Sequence, residues 1–248
     1  MLDLKGKTVL VTGASSGIGR QTAIYLTKLG AKVVITGRNE ERLNETYKQL
    51  EGNGHLKIKA DLTHQDDVKK IFAYSKENNI KFNGLVHCAG VSYVMPIKVL
   101  TKETLQKIFD VNYFSFVDLV KEFAKKTNSE NGSSIVTTSA ILVKKPRPYE
   151  LAYITSKAAL EAAVPVMALE YRKRAFKVNA VVPGFVNTPM MHEAMQKFDN
   201  AEAMNKTAEA FLYGIEEAQD IAEVIAFLIS DSSKVINGRC VYADGGML

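Results

Sequence analysis

Short apolar runs rich in valine and isoleucine alternate with helix-period segments along the whole chain, and this alternation limits the fold more than any other feature. The runs are Lys7–Val11, Lys32–Thr36, Leu56–Ala60, Gly84–Cys88, Ser134–Thr138, Lys177–Val182 and Arg239–Ala243. None alternates strictly between polar and apolar residues, so strands here are expected to be covered on both faces. The intervening segments are amphipathic: Ile221, Val224, Ile225 and Leu228 fall at i, i+3, i+4 and i+7 and form one apolar face. This order implies an α/β fold, a doubly wound parallel sheet with right-handed crossovers. With 248 residues, 46% of them apolar, a single domain over 1–248 can bury a full core without disulfides or metals. The sequence shows no internal repeat, low-complexity tract or linker.

The pattern breaks at length only between residues 185 and 214, a stretch that holds Met190, Met191, Met195 and Met204. It reads as a pair of small helices with a Met-rich core, or as a helical substrate lid. Its place after a strand end favours the lid, because such loops border the ligand crevice of a doubly wound sheet. No apolar run approaches the roughly 18 residues of a membrane span. The start, Met1-Leu2-Asp3-Leu4-Lys5-Gly6-Lys7, lacks the apolar core of a signal peptide. Cys88 and Cys240 both fall in strands expected to be buried, which fits a reduced, cytoplasmic setting. The four histidines have no metal-ligand spacing, so no metal is expected. A net charge of +5 suits an anionic cofactor as well as nucleic acid, but no basic and aromatic stripe supports the latter.

Two segments carry chemistry. Thr12-Gly13-Ala14-Ser15-Ser16-Gly17-Ile18-Gly19 joins the first strand to the first helix. Gly13 permits a tight turn, and Gly17 and Gly19 let backbone approach a pyrophosphate where free N–H groups and the helix dipole favour anions. The second strand ends in Thr36-Gly37-Arg38, without the acid that would accept from a ribose 2′-hydroxyl. Arg38 there suits a 2′-phosphate, so the expected cofactor is NADP(H), with Ser15, Ser16 and Asn39 as neutral donors. The bland reading of Arg38 is a solvated residue opening a helix over Asn39–Leu50. Tyr153 and Lys157 stand four residues apart and share a helix face. A nearby cation stabilises phenolate, which suits Tyr153 to proton transfer with an alcohol or carbonyl oxygen.

In motif order the chain resembles the short-chain dehydrogenase/reductase family in its one-domain, Rossmann-type form. Thr12–Gly19 is similar to the family's glycine loop. Asp61-Leu62 resembles its adenine contact and Ala89-Gly90 the end of its N-N-A-G. Asn112, Ser139, Tyr153 and Lys157 resemble its catalytic tetrad. The turn Pro183-Gly184, with Val186 and Asn187-Thr188-Pro189-Met190, resembles its nicotinamide site, and Asp244-Gly245-Gly246 its usual end. The resemblance implies hydride transfer between nicotinamide and a carbonyl or secondary alcohol. Tyr153 would be the acid or base, and Lys157 would tune it and hold the nicotinamide ribose. Ser139 would donate to the carbonyl oxygen, and Asn112 would hold a relay water. It also implies a homotetramer, or failing that a dimer, with Leu160, Ala163, Val164, Met167 and Ala168 as the apolar interface.

Three departures stand out. His87-Cys88 replaces the two asparagines, Pro165 lies inside the Tyr153 helix, and the loop from Ser139 to Tyr153 is slightly long and lacks glycine. That loop makes the substrate an open matter between two classes. One is a 3-oxoacyl thioester on an acidic carrier protein that could meet Lys125-Lys126 and Arg172-Lys173-Arg174. The other is a polyol, sugar or other small alcohol, with Lys144, Lys145 and Arg147 gripping a polar group. A catalytically idle dinucleotide-binding regulator is the contrasting class, and retention of both Tyr153 and Lys157 argues against it.

Overall fold

In a computed structural model, which describes residues 2–196 and 214–247, seven parallel strands form one sheet in the order β3-β2-β1-β4-β5-β6-β9. Its strands are β1 (Thr8–Thr12), β2 (Lys32–Gly37), β3 (Leu56–Lys59), β4 (Phe82–His87), β5 (Ser129–Thr138), β6 (Lys177–Pro183) and β9 (Cys240–Ala243). The helices are α1 (Gly17–Lys28), α2 (Glu40–Tyr47), α3 (Gln65–Glu77), α4 (Lys102–Phe109), α5 (Ser115–Phe123), α6 (Leu151–Glu170) and α7 (Pro189–Gln196). A further helix, α8, covers Ala218–Ile229.

The two-residue period of a strand sorts the core into two layers. Leu10, Val34, Leu85 and Ile135 pack against Phe72 of α3, Phe116 and Phe123 of α5 and Leu160 of α6. Val9, Val11, Val33, Ile35 and Val136 point the other way, against Leu26 of α1, Leu43 of α2 and Ile225 and Leu228 of α8. Both faces being covered explains why the strands show no polar alternation.

The expected strands all form, most of them within one or two residues of the expected ends. β5 begins earlier, at Ser129, with a register shift against β4 between Phe82 and Gly84. The short parallel pair β7 (Val186–Asn187) and β8 (Glu216–Glu217) carries no two-residue sequence signal and was not anticipated. The helix expected over Asn39–Leu50 is shorter: Asn39 is its N-cap, and its side chain accepts from the Arg42 amide at 2.9 Å. Helix α6 runs unbroken through Pro165, with Tyr153 in its first turn. Cys88 and Cys240 are unpaired and only half-buried, because β4 ends at His87 and β9 is an edge strand.

One expectation about α6 is corrected. Leu160, Val164 and Ala168 are buried in this chain's own core, and Met167 packs against it. The large apolar side chains α6 leaves exposed are Leu151 at its start and Val166 and Leu169 toward its end. Of the expected lid, α7 is described; Met204 and residues 197–213 lie outside the described residues.

Candidate active site

Strand order reverses between β2-β1 and β4-β5, and the crevice beyond their C-terminal ends is where a doubly wound sheet takes a ligand. The expected site residues converge there. Gly13, Ser15, Ser16, Gly17, Ile18, Gly19, Arg38, Asp61, Leu62, Ala89, Gly90, Ser139, Tyr153, Lys157, Pro183, Gly184, Val186 and Thr188 all line one cleft. Asn112 alone stands behind the wall.

The glycine loop fits a dinucleotide by shape. Gly13 has φ +66°, and a Cβ there would lie 2.7 Å from the Cys88 carbonyl. A Cβ on Gly19 would lie 2.4 Å from the Gly13 oxygen. Side chains at either position would close the cradle. Ser16 sits at the N-cap of α1, yet its side chain makes no capping bond, so its hydroxyl is left for a ligand. At the far end Arg38 is exposed and makes no ion pair among the described residues, and Arg42, one turn on, lines the same cleft. Arg42 was missed, although Arg38 and Arg42 at i, i+4 was a readable signal. Glu40 and Glu41 do not line the cleft, and Glu40 faces Lys59 at 3.6 Å. Burial pushes the Asp61 carboxyl up. Hydrogen bonds from the Thr63 amide and hydroxyl, with the Arg38 charge, outweigh it and leave the group below its usual range.

Tyr153 and Lys157 rise from the first two turns of α6. Lys157 Nζ donates to the Thr138 carbonyl at 2.8 Å and lies 5.8 Å from the centre of the Tyr153 ring. Burial lowers the Lys157 ammonium to about 8, with Cys88 opposing. For Tyr153 the expected lowering is reversed: burial raises the phenol and the Glu150 carboxylate raises it further, while Arg147 draws it back. The ammonium faces the ring rather than bonding the phenol oxygen, so desolvation wins.

Asn112 is buried in a π-turn, Asp110–Phe114, between α4 and α5. Its Oδ1 accepts from the Val91 amide at 2.8 Å, and its Nδ2 donates to the Val91 carbonyl at 3.0 Å and to Ser156 Oγ at 2.9 Å. The side chain therefore clamps the strand-end loop to α6, with both amide hydrogens committed. His87 takes over the strand end that asparagine occupies in the family. The Ala89 amide donates to Thr12 Oγ1 at 3.3 Å, and Thr12 Oγ1 lies 3.0 Å from His87 Nδ1. The Thr12 proton then goes to Nδ1, which leaves the ring proton on Nε2, facing the Asn112 carbonyl without closing a hydrogen bond. Burial, then Lys157, lowers this histidine to about 3, so it is neutral and structural.

Four side chains here escaped the sequence reading or were underrated. Arg147 and Glu150 form an ion pair of 2.7 Å on the substrate side of the cleft, with Glu150 buried and the guanidinium 4.5 Å from the centre of the Phe185 ring. Glu161 accepts from Ser139 Oγ at 2.7 Å. Glu216 accepts from the Gly184 amide at 3.1 Å and ties the Pro183-Gly184 turn to β8. Burial raises its carboxyl to about 7, with Asp244 and Asp220 adding and the Gly184 bond opposing.

Comparison with known proteins agrees with this geometry. Residues 13–248 match the family model described as enoyl-(acyl carrier protein) reductase. The chain is 34% identical over 248 residues to a 3-oxoacyl-(acyl-carrier-protein) reductase FabG of Rickettsia prowazekii, covering 100% of this chain and 99% of that one. It is 33% identical to a glucose 1-dehydrogenase of Gluconobacter oxydans over 98% of this chain and 92% of the other. A solved glucose/ribitol dehydrogenase from Brucella melitensis superposes with a TM-score of 0.92 at 26% identity, covering 100% of this chain and 98% of that one. Fold, cleft and full-length similarity together make this chain a member of the short-chain dehydrogenase/reductase family, an oxidoreductase of NAD(P)(H).

Proposed function

We propose that this protein is an NADP(H)-dependent oxidoreductase that moves a hydride between nicotinamide and a carbonyl or secondary alcohol. The observation that carries it is one cleft with a glycine cradle, two arginines at its far end and Tyr153, Lys157 and Ser139 at its near end. A bound nicotinamide supplies or takes the hydride, and in its oxidised form carries a positive ring charge. The cradle and the Pro183–Thr188 turn hold it, and Arg38 and Arg42 hold the 2′-phosphate. Tyr153 gives a proton from its hydroxyl to the substrate oxygen in reduction and takes it back in oxidation. Lys157, with its ammonium lowered to about 8, refills the phenol and bonds the ribose. Ser139 bonds the substrate oxygen. Asn112 keeps the loop and α6 in register.

The first substrate class is a 3-oxoacyl thioester, supported by the names of full-length relatives. Arg174 is unavailable for a carrier protein, because it bonds Ser129 and Asn131 and stacks on Phe176. Exposed Lys126, Arg172 and Lys173 remain for that role, and Lys125 is paired with Glu122 at 2.6 Å. A second class, a small hydroxylated alcohol, is favoured by the Arg147–Glu150 pair, which offers donors and an acceptor together with little net charge. A purified-protein screen with NADPH and NADH, over acyl thioesters, keto sugars and small diketones, separates the two. No helix of the described residues is long and apolar enough to cross a membrane. A cytoplasmic setting suits the two unpaired cysteines. A homotetramer, or a dimer, would cover Val166 and Leu169; a stable monomer by light scattering at micromolar concentration would refute it.

A further inference from the structure

Ser139 is buried at the end of β5 and lines the cleft, but its hydroxyl proton is directed elsewhere. Oγ donates to Glu161 Oε1 at 2.7 Å. Glu161 lies eight residues past Tyr153 and four past Lys157, so the three share one face of α6. Tyr153 and Lys157 line the cleft and Glu161 does not. It stands behind Ser139 toward β9, where burial first and the Glu161 charge second hold the Cys240 thiol up at about 11.

A carboxylate can only accept, and a serine hydroxyl has one proton and two lone pairs. With that proton given to Glu161, Ser139 turns lone pairs to the cleft. A ketone oxygen needs a donor there, whereas an alcohol O–H needs an acceptor. The resting geometry is therefore arranged for an alcohol, opposite to the donor role that the family resemblance gives Ser139.

We propose that Glu161 is a positioning residue that keeps the Ser139 proton out of the cleft, so that the resting site binds a secondary alcohol in preference to the corresponding ketone. This rests on the hydride-transfer reading above. The preference belongs to ground-state binding, because a change in the transition state alters both directions together. Glu161→Ala removes the acceptor. That variant frees the serine proton for the cleft, whereas Glu161→Gln removes the charge but keeps an amide oxygen that can still accept it.

The test uses complexes that cannot react. Acetoacetyl-coenzyme A is titrated by calorimetry onto protein saturated with NADP⁺, and 3-hydroxybutyryl-coenzyme A onto protein saturated with NADPH. Relative to wild type, E161A should lower the ketone-to-alcohol Kd ratio about tenfold, the size of one hydrogen bond to a charged or polar partner, and E161Q, which keeps an acceptor, should lower it less. In a Ser139→Ala background E161A should leave the ratio unchanged, since Glu161 acts only through Ser139. A ratio that moves less than about twofold in E161A, or an E161A effect that survives in the Ser139→Ala background, overturns the proposal. A purely structural role for Glu161 would weaken both ligands alike. If Ser139→Ala and Tyr153→Phe leave turnover intact, the reading of the site fails and this proposal fails with it. A steep loss of turnover in those two variants with an unmoved E161A ratio removes the Glu161 proposal alone.

Discussion

Arg38→Leu should abolish most of a preference for NADPH over NADH. In this fold an acid at the end of β2 serves the ribose 2′-hydroxyl, and here Gly37 and Arg38 stand in that place. A guanidinium can donate paired bonds to a 2′-phosphate, and one charge-assisted hydrogen bond contributes about 1.5–3 kcal/mol. Arg38 is exposed, so the lower end applies, and about 1.5 kcal/mol corresponds to roughly tenfold in kcat/KM. Arg42 on the next turn should retain a smaller part of the preference, so Arg42→Leu should cost less than Arg38→Leu. Glu40 faces Lys59 and neither Glu40 nor Glu41 lines the cleft, which leaves Asp61 as the carboxylate that shares the cleft with Arg38. The preference should shrink as salt rises, because an exposed pair is screened over about 8–10 Å near physiological ionic strength. Replacing Gly37 by Asp to invert the preference is less clean, because a Cβ there would lie 3.3 Å from Ser15 Cβ and Oγ, and the loop would have to give. The assay is kcat/KM for both cofactors at two ionic strengths, in wild type and each leucine variant. Wild-type values within about threefold of each other, or an Arg38→Leu variant with its preference intact, would refute the reasoning and leave the family assignment standing.

Tyr153→Phe removes only the proton donor, so turnover should fall about 10²- to 10⁴-fold while NADPH binding, measured by fluorescence, stays within about threefold. Gly13→Ala should abolish cofactor binding, because the new Cβ would meet Cys88 and Ala89 backbone at 2.7 Å from a left-handed φ of +66°; wild-type affinity by calorimetry would contradict the cradle. Glu216 is raised by burial to about 7, so the fold binds its proton more tightly than the unfolded chain does. Its stabilising effect is complete below the usual glutamate pKa and lost as pH rises through about 7. Glu216→Gln, which still offers Gly184 an acceptor, should therefore raise Tm relative to wild type at pH 8 and not at pH 4. The gain should be about 1 kcal/mol once discounted for a half-buried site, and an equal change at both pH values would refute it.

What was legible in the sequence, and what was not, follows from the range of the forces involved. Strand positions and sheet class come from local periodicity, and the run Lys177–Val182 is apolar because β6 is covered on both faces. The glycine loop was legible because Gly13 and Gly19 answer to contacts a Cβ would prohibit, and such positions carry their geometry in residue type. The tetrad was legible only through resemblance: no spacing places Ser139 beside α6. Three of the five α6 residues expected at an interface, Leu160, Val164 and Ala168, are core residues instead, because a helix apolar on several sides does not say which side meets its own sheet. Leu160 and Val164 went to the core, and Val166 and Leu169 were left outside. The lowered pKa of Tyr153 failed for a related reason. Spacing shows that Lys157 is near, but not that burial and Glu150 act on the phenol more strongly.

The pairs that were missed share one property, that their partners are distant in sequence or hidden within an irregular loop. Tyr153, Lys157 and Glu161 at i, i+4 and i+8 are plain in the sequence, yet the third becomes meaningful only when β5 brings Ser139 within 2.7 Å across 22 residues. Arg147 and Glu150 lie three apart in a stretch without helical period, where Tyr149 takes a φ of +70° between them. That turn directs both charges into the cleft, and no pattern of composition encodes it. The cofactor end of this chain is therefore specified by backbone clearance, which sequence records well, and the substrate end by side-chain pairing across the fold, which it records poorly. For the same reason family membership gives an oxidoreductase of this family here and leaves the substrate open, with Arg147, Glu150 and the Ser139–Glu161 hydrogen bond as the groups proposed to choose it.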